Sequence, residues 1–187
     1  MKPAKSRRGL FIAALLGVCT YLWLAPAGPR TVPDITLLTI DGEQLPLTEL
    51  RGKPLLVTFW STTCSSCISE MPHLIALYKD LAPLGLEIVA IAMSYDPPSQ
   101  VLAMRKARRI PYPVALDINA DAARAFGNVR GTPTSFLIDP DGQVVYRKTG
   151  AMNTDRLRRD IHAMLEQRDS SRLAVPVDRP AVLADKG

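Results

Sequence analysis

Two unbroken apolar runs, Pro54-Leu55-Leu56-Val57-Thr58-Phe59-Trp60 and Leu86-Glu87-Ile88-Val89-Ala90-Ile91-Ala92-Met93, enclose a stretch of helical pattern from about Cys64 to Leu81. Hydrophobicity without period-two alternation fits strands buried on both faces. Two such strands joined by a helix form a βαβ unit, the middle of a sheet covered by helices on both sides. With 47% hydrophobic and 22% charged residues among 187, the chain is too apolar to be disordered and amounts to one globular domain plus a remainder. A multidomain enzyme is excluded.

On the N-terminal side of this unit the pattern predicts a hairpin, Ile35–Ile40 returning through Asp41-Gly42 to Gln44–Leu47. On the other side it predicts a helix from Pro97 through Arg109 with Ser99 as its cap, a short strand Pro113–Leu116 and a short helix Asn119–Phe126. Ser135–Asp139 and Gln143–Arg147 flank the turn Pro140-Asp141-Gly142 and read as a second hairpin. Asn153 to about Arg168 is expected to be an amphipathic helix with Leu157, Ile161, Met164 and Leu165 on one face. The order describes an α/β fold: a mixed sheet in which a parallel half joins an antiparallel half, flanked by helices. The domain spans 34–168, and the polar, proline-containing segment 169–187 reads as a flexible tail.

The charge balance of 23 Lys and Arg against 18 Asp and Glu, or +5, invites a nucleic-acid reading that location removes. Lys2, Lys5, Arg7 and Arg8 supply four of the five excess charges, leaving +1 over residues 9–187. Behind this basic segment, 1–8, the stretch Gly9–Ala25 carries no charge. Its length is just enough to cross a hydrocarbon core of roughly 30 Å as a helix. With the positive residues held on the cytoplasmic side and Tyr21 and Trp23 near the far interface, 9–27 is expected to be a transmembrane anchor, 28–33 a linker, and the domain to lie outside the cytoplasm. Ala25-Pro26-Ala27 also has the form of a signal-peptidase site, so a cleaved signal peptide is the competing reading. Cys19 falls within this segment and is assigned no chemistry.

The other two cysteines form Cys64-Ser65-Ser66-Cys67, where a buried strand turns into a helix. A thiolate at a helix N-terminus faces unpaired backbone N–H groups and the positive end of the macrodipole, so the pKa of Cys64 should fall. A spacing of three places Cys67 one turn further in, within the Cα separation of about 4.4–6.8 Å that a disulfide needs. Cys64, the more exposed end, is expected to attack and Cys67 to resolve. A structural disulfide is disfavoured because so short a loop restrains the unfolded chain little. Zinc lacks ligands, since the remaining candidates are the two histidines, His73 and His162. No metal or other cofactor is expected.

Phe59-Trp60-Ser61-Thr62-Thr63-Cys64-Ser65-Ser66-Cys67-Ile68-Ser69-Glu70-Met71-Pro72 resembles the active-site strand, loop and helix of the thioredoxin superfamily, and most closely the membrane-anchored TlpA/ResA-type thiol-disulfide oxidoreductases of bacteria. Leu50-Arg51-Gly52-Lys53-Pro54 resembles the entry to that strand, and Val129–Asp139 its cis-proline segment. The resemblance implies a cis bond before Pro133, packed against the cysteine pair, with Thr132 offering its backbone to an extended substrate chain. It implies that Pro72 is the family's helix-kinking proline and that Trp60 packs beside the active-site loop as part of the substrate-binding region. Thr58 departs from thioredoxin, which has an acidic residue there to serve the buried cysteine's proton. Glu70, one turn beyond Cys67, is the replacement candidate: a partly buried carboxylate with a raised pKa that accepts the Cys67 proton. Thr63 and Ser65-Ser66 also depart from common relatives, in positions that affect the redox potential.

The resulting expectation is a protein-disulfide reductase of the bacterial cytoplasmic membrane, single-pass, with its catalytic domain on the periplasmic side. Its expected partners are disulfide-bearing client proteins, of the cytochrome c or copper-site maturation kind, and a membrane electron donor. Nucleic acid is not among them. Two other readings compete. A peroxiredoxin-like peroxidase would need the pattern Pro-x-x-x-Thr-x-x-Cys, where this chain has Val57 and Ser61. A copper-delivery protein would need a well-placed histidine. The basic run Arg105, Lys106, Arg108 and Arg109 reads as a solvated helix face.

Overall fold

The computed structural model describes residues 16, 17 and 31–174, with side chains as far as Ser170. The basic segment 1–8, nearly all of the expected anchor 9–27, the first half of the linker (28–30) and the chain beyond 174 lie outside the described residues. Among the described residues no helix is long and apolar enough to cross a membrane.

Among the described residues seven strands form one sheet: β1 (Thr36–Thr39), β2 (Gln44–Pro46), β3 (Leu55–Trp60), β4 (Glu87–Ala92), β5 (Val114–Leu116), β6 (Thr134–Ile138) and β7 (Val144–Thr149). Within residues 31–174 four α-helices accompany them: α1 (Ser65–Leu81), α2 (Pro98–Arg108), α3 (Asp121–Ala125) and α4 (Thr154–Ala174). The spatial order is β2-β1-β5-β4-β3-β6-β7. β3, β4 and β5 run parallel, while β6 lies antiparallel against β3 and β7 antiparallel against β6. The apolar runs thus form the centre, and all six residues of β3 are buried.

Alternation along β3 divides the core into two layers. Leu56 and Trp60 face the layer containing Met71, Leu74 and Leu77 of α1 and Leu157, Ile161 and Leu165 of α4. Leu55, Val57 and Phe59 face the opposite layer, with Ala122, Ala123, Phe126 and Phe136. Phe59 meets Phe126 and Phe136 edge-on, with ring centroids 5.4 and 6.1 Å apart.

The structure departs from the pattern at helix ends. α2 begins directly behind Pro97 without a side-chain cap, so Ser99 lies inside the first turn. The fixed φ of proline already suits a helical start. α4 runs past Arg168 to Ala174, because Asp169–Ala174 contains neither glycine nor proline and the first breaker is Pro176. The segment read as a tail from 169 therefore begins as helix. A 3₁₀ turn at Leu47–Leu50, which buries Leu47, has no signal in the periodicity.

Register decides what meets at the end of the sheet. The parallel strands β3, β4 and β5 all finish at one end. The antiparallel pairing of Phe59 with Thr134, and of Thr134 with Thr149, brings the start of β6 and the end of β7 to the same place. Loops 61–64, 93–97, 130–133 and 150–153 share that end.

Candidate active site

Cys64 is the N-cap of α1, with extended backbone angles of φ −85° and ψ 103°. The Cys67 backbone N–H donates to Cys64 Sγ at 3.1 Å, and the Ile68 N–H to the Cys64 carbonyl at 3.1 Å. A sulfur therefore occupies the place of the usual capping oxygen. Once reduced, a thiolate at this position meets the same N–H and the helix dipole, which is the stabilisation the spacing predicts. Cys64 and Cys67 form a disulfide of 2.06 Å with Cα atoms 5.2 Å apart. Cys64 is half-buried whereas Cys67 is 5% exposed. Cys64 is thus the more accessible of the pair.

The loop leading to Cys64 is held from β4. Asp96, buried just beyond that strand, accepts the Thr62 backbone N–H at 2.6 Å and the Thr62 hydroxyl at 3.1 Å. Hydrogen bonds to a charged group are among the stronger ones in a protein, and this pair fixes the chain two residues before the cap.

Across the sheet, the Thr132-Pro133 peptide bond is cis and Pro133 is buried. The Gly150 N–H donates to the Pro133 carbonyl at 2.8 Å, and the Thr134 hydroxyl to the Gly131 carbonyl at 2.7 Å. Among the described residues the Thr132 backbone takes no part in the hydrogen bonds that tie this loop. Its side chain is half-buried.

Behind Cys67 lies a cavity of about 10 Å³ lined by Thr58, Trp60, Cys67, Glu70, Met71, Leu74, Ala90, Ile110, Tyr112 and Pro133. That is close to the room needed for one water molecule. Thr58 is not free to serve Cys67, because its hydroxyl shares a 2.9 Å hydrogen bond with Ser135, its partner across the β3–β6 ladder. Trp60 is 3% exposed and its indole nitrogen has no hydrogen-bond partner among the described residues, so the ring meets the site from beneath rather than at the surface. Glu70 is 6% exposed, and its Oε1 accepts the Met152 backbone N–H at 2.7 Å. Burial raises the Glu70 carboxyl above its ordinary value, an effect partly offset by that N–H and by the nearby charge of His73. His73 itself is exposed, as is Pro72, which α1 passes through.

A family model described as Redoxin matches residues 27–165. The chain belongs to the redoxin family of the thioredoxin superfamily. It is 31% identical over 160 residues to the thiol-disulfide oxidoreductase ResA of Geobacillus thermodenitrificans, an alignment covering 83% of this chain and 91% of the relative. To ResA of Bacillus subtilis it is 32% identical over 139 residues, covering 74% and 76% respectively. The crystal structure of a thiol:disulfide interchange protein of the thioredoxin family from Chlorobium tepidum matches with a TM-score of 0.67 at 32% identity, over 75% of this chain and 99% of its own. Family membership and the Cys64–Cys67 pair make the chain a thiol-disulfide oxidoreductase of the ResA type.

Of the residues singled out in the sequence, Trp60, Cys67, Glu70 and Pro133 line one cavity, Cys64 is joined to it by its disulfide with Cys67, and Thr132 adjoins it through the cis bond to Pro133. The site also recruits residues that the sequence pattern did not single out. Asp96 follows a parallel strand at the end of the sheet where Cys64 sits, a position at which α/β sheets commonly place functional side chains. Met152 reaches Glu70 through its backbone N–H and Tyr112 lines the cavity as a buried side chain, and neither leaves a signature in residue spacing.

Proposed function

We propose that this oxidoreductase reduces disulfides in client proteins on the extracytoplasmic face of a bacterial membrane. The graded burial of its two sulfurs carries that reading: one accessible at a helix cap beside the cis-proline loop, the other enclosed against a carboxylate. The Cys64 thiolate attacks one sulfur of a client disulfide, forming a mixed disulfide and releasing the other client sulfur as a thiolate. Cys67 gives its proton to Glu70 and attacks Cys64 Sγ. The Cys64–Cys67 bond forms, the bond to the client breaks, and the client leaves with the two electrons. During this exchange the client chain pairs with the Thr132 backbone beside Pro133, while Trp60 supports the loop from below.

The first 27 residues, with their four positive charges and uncharged run, support a membrane anchor with the domain on the periplasmic side, or export if the segment is cleaved. Recharging the pair then requires a membrane protein that carries electrons from the cytoplasm. Clients awaiting haem or copper at reduced cysteines, as in cytochrome c maturation, fit this chemistry.

Purified full-length chain is expected to catalyse dithiothreitol-dependent reduction of insulin, with no comparable peroxide consumption and no tight copper binding. Absence of dithiol-dependent turnover together with tight copper binding would overturn the proposal.

Glu70→Gln tests the proton acceptor. The amide oxygen can keep the Met152 bond but cannot take a proton, so the resolving step should slow by about a hundredfold at neutral pH, within the range for general base catalysis. In the wild type that step should accelerate as pH rises through the folded pKa of Glu70 and then level off. Glu70→Gln should remove this limb. Stability moves the other way: because burial raises the folded pKa above 4.5, the native state holds its proton longer than the unfolded chain. Between the two values stability falls as pH rises, and above both the full burial penalty remains. Chemical denaturation across this range should show a flatter pH dependence in Glu70→Gln.

A further inference from the structure

We infer that Tyr112 is a positioning residue for the resolving step, its buried phenol donating a hydrogen bond to the Glu70 carboxylate in the reduced protein. This deepens the proposal above and rests on Glu70 being the proton acceptor for Cys67. Tyr112 is 1% exposed and lines the same small cavity as Cys67, Glu70 and Pro133. Its ring packs edge-on against Tyr78 of α1, with centroids 5.7 Å apart. A buried tyrosine hydroxyl ordinarily finds an acceptor. Among the cavity's lining residues, the Thr58 hydroxyl is engaged with Ser135, and Glu70 is the sole carboxylate. One Glu70 oxygen takes the Met152 N–H, leaving the second to accept from another donor. Burial first, and then the negative charge of Glu70, raise the Tyr112 phenol far above its ordinary value, so it remains a donor throughout the working pH range.

The groups facing Glu70 come from three places. Cys67 and His73 lie on its own helix, the Met152 N–H comes from the loop between β7 and α4, and Tyr112, across the shared cavity, comes from the loop between α2 and β5. When Cys67 transfers its proton, Glu70 becomes neutral and the phenol loses a charged acceptor. Tyr112 thus favours the carboxylate form, the form able to accept, and sets the pH at which resolution begins. The covalent step is unchanged: the Cys64–Cys67 bond forms, the client sulfur departs as a thiolate, and Glu70 holds the proton until solvent removes it.

The test uses the reduced full chain with Ellman's reagent, following the second release of thionitrobenzoate, which reports attack by Cys67 on the Cys64 adduct. Tyr112→Phe keeps the ring and its contact with Tyr78, so stability should change little. It should move the acid limb of the resolving rate upward by about one pH unit, as expected for loss of a hydrogen bond to a charged group. In a Glu70→Gln background Tyr112→Phe should have no further effect on the pH profile. Replacing tyrosines with fluorotyrosine, whose phenol is a stronger donor, should move the limb downward in an otherwise wild-type chain. An unmoved limb in Tyr112→Phe, or a shift of equal size in the Glu70→Gln background, would overturn the inference. Failure of Glu70→Gln itself to remove the limb would instead overturn the assignment of Glu70, so the two failures are distinguishable.

Discussion

Cys64→Ser is expected to lower dithiol-dependent turnover of protein disulfides by at least about a thousandfold while leaving the domain folded. The chemical half of this expectation follows from exposure. Removing the half-buried sulfur leaves Cys67, at 5% exposure, which a folded client cannot reach. The structural half follows from the cap. Cys64 closes the start of α1 by accepting the Cys67 N–H, and serine is among the residues best suited to that role. The lost disulfide closes a loop only three residues apart in sequence, so its removal relaxes the unfolded chain little. Insulin reduction together with thermal unfolding measures both halves. Turnover within tenfold of the wild type would mean that another thiol begins the reaction.

The parts of this site that were legible in the sequence are those whose chemistry depends on local spacing. Cys64 and Cys67 stand three apart at a strand-to-helix junction, and their pairing and unequal burial follow from helical geometry. The two central strands were legible because burial on both faces leaves an unbroken apolar run, as all six residues of β3 confirm. The cis bond at Pro133 was implied by family resemblance and is present in the structure. Other features depend on register. Glu70 could be named as a candidate from its place on α1, but its bond to Met152 joins residues 82 apart and required the pairing of β3, β6 and β7. Asp96 carries no local signal of a role, and it is the parallel alignment of β3 and β4 that sets it beside Thr62. Thr58 could be recognised as lacking a proton acceptor, yet its engagement with Ser135 became visible only once β6 was placed against β3. The end of α4 at Ala174, beyond the expected Arg168, has a different reason: the next breaker, Pro176, rather than the amphipathic pattern, sets the limit.

Cys67→Ala should separate the two sulfur roles. With Cys64 intact, attack on a client disulfide proceeds and the alternate leaving thiolate departs, but Cys67 is no longer there to recover Cys64. The mixed disulfide then persists, since uncatalysed exchange without free thiol is slow. Alanine at this position removes a buried sulfur beside Trp60 and Met71 and leaves the backbone N–H that caps onto Cys64. Turnover should fall by at least about a thousandfold, as it does for Cys64→Ser, but by arrest after one chemical step rather than before any. The most direct measurement is the intact mass, under non-reducing conditions, of reduced Cys67→Ala chain mixed with a disulfide-bearing protein. A one-to-one adduct joined through Cys64 and released by dithiothreitol is predicted. No adduct, or an equal yield through Cys67 in a Cys64→Ala chain, would contradict attack by Cys64 and resolution by Cys67.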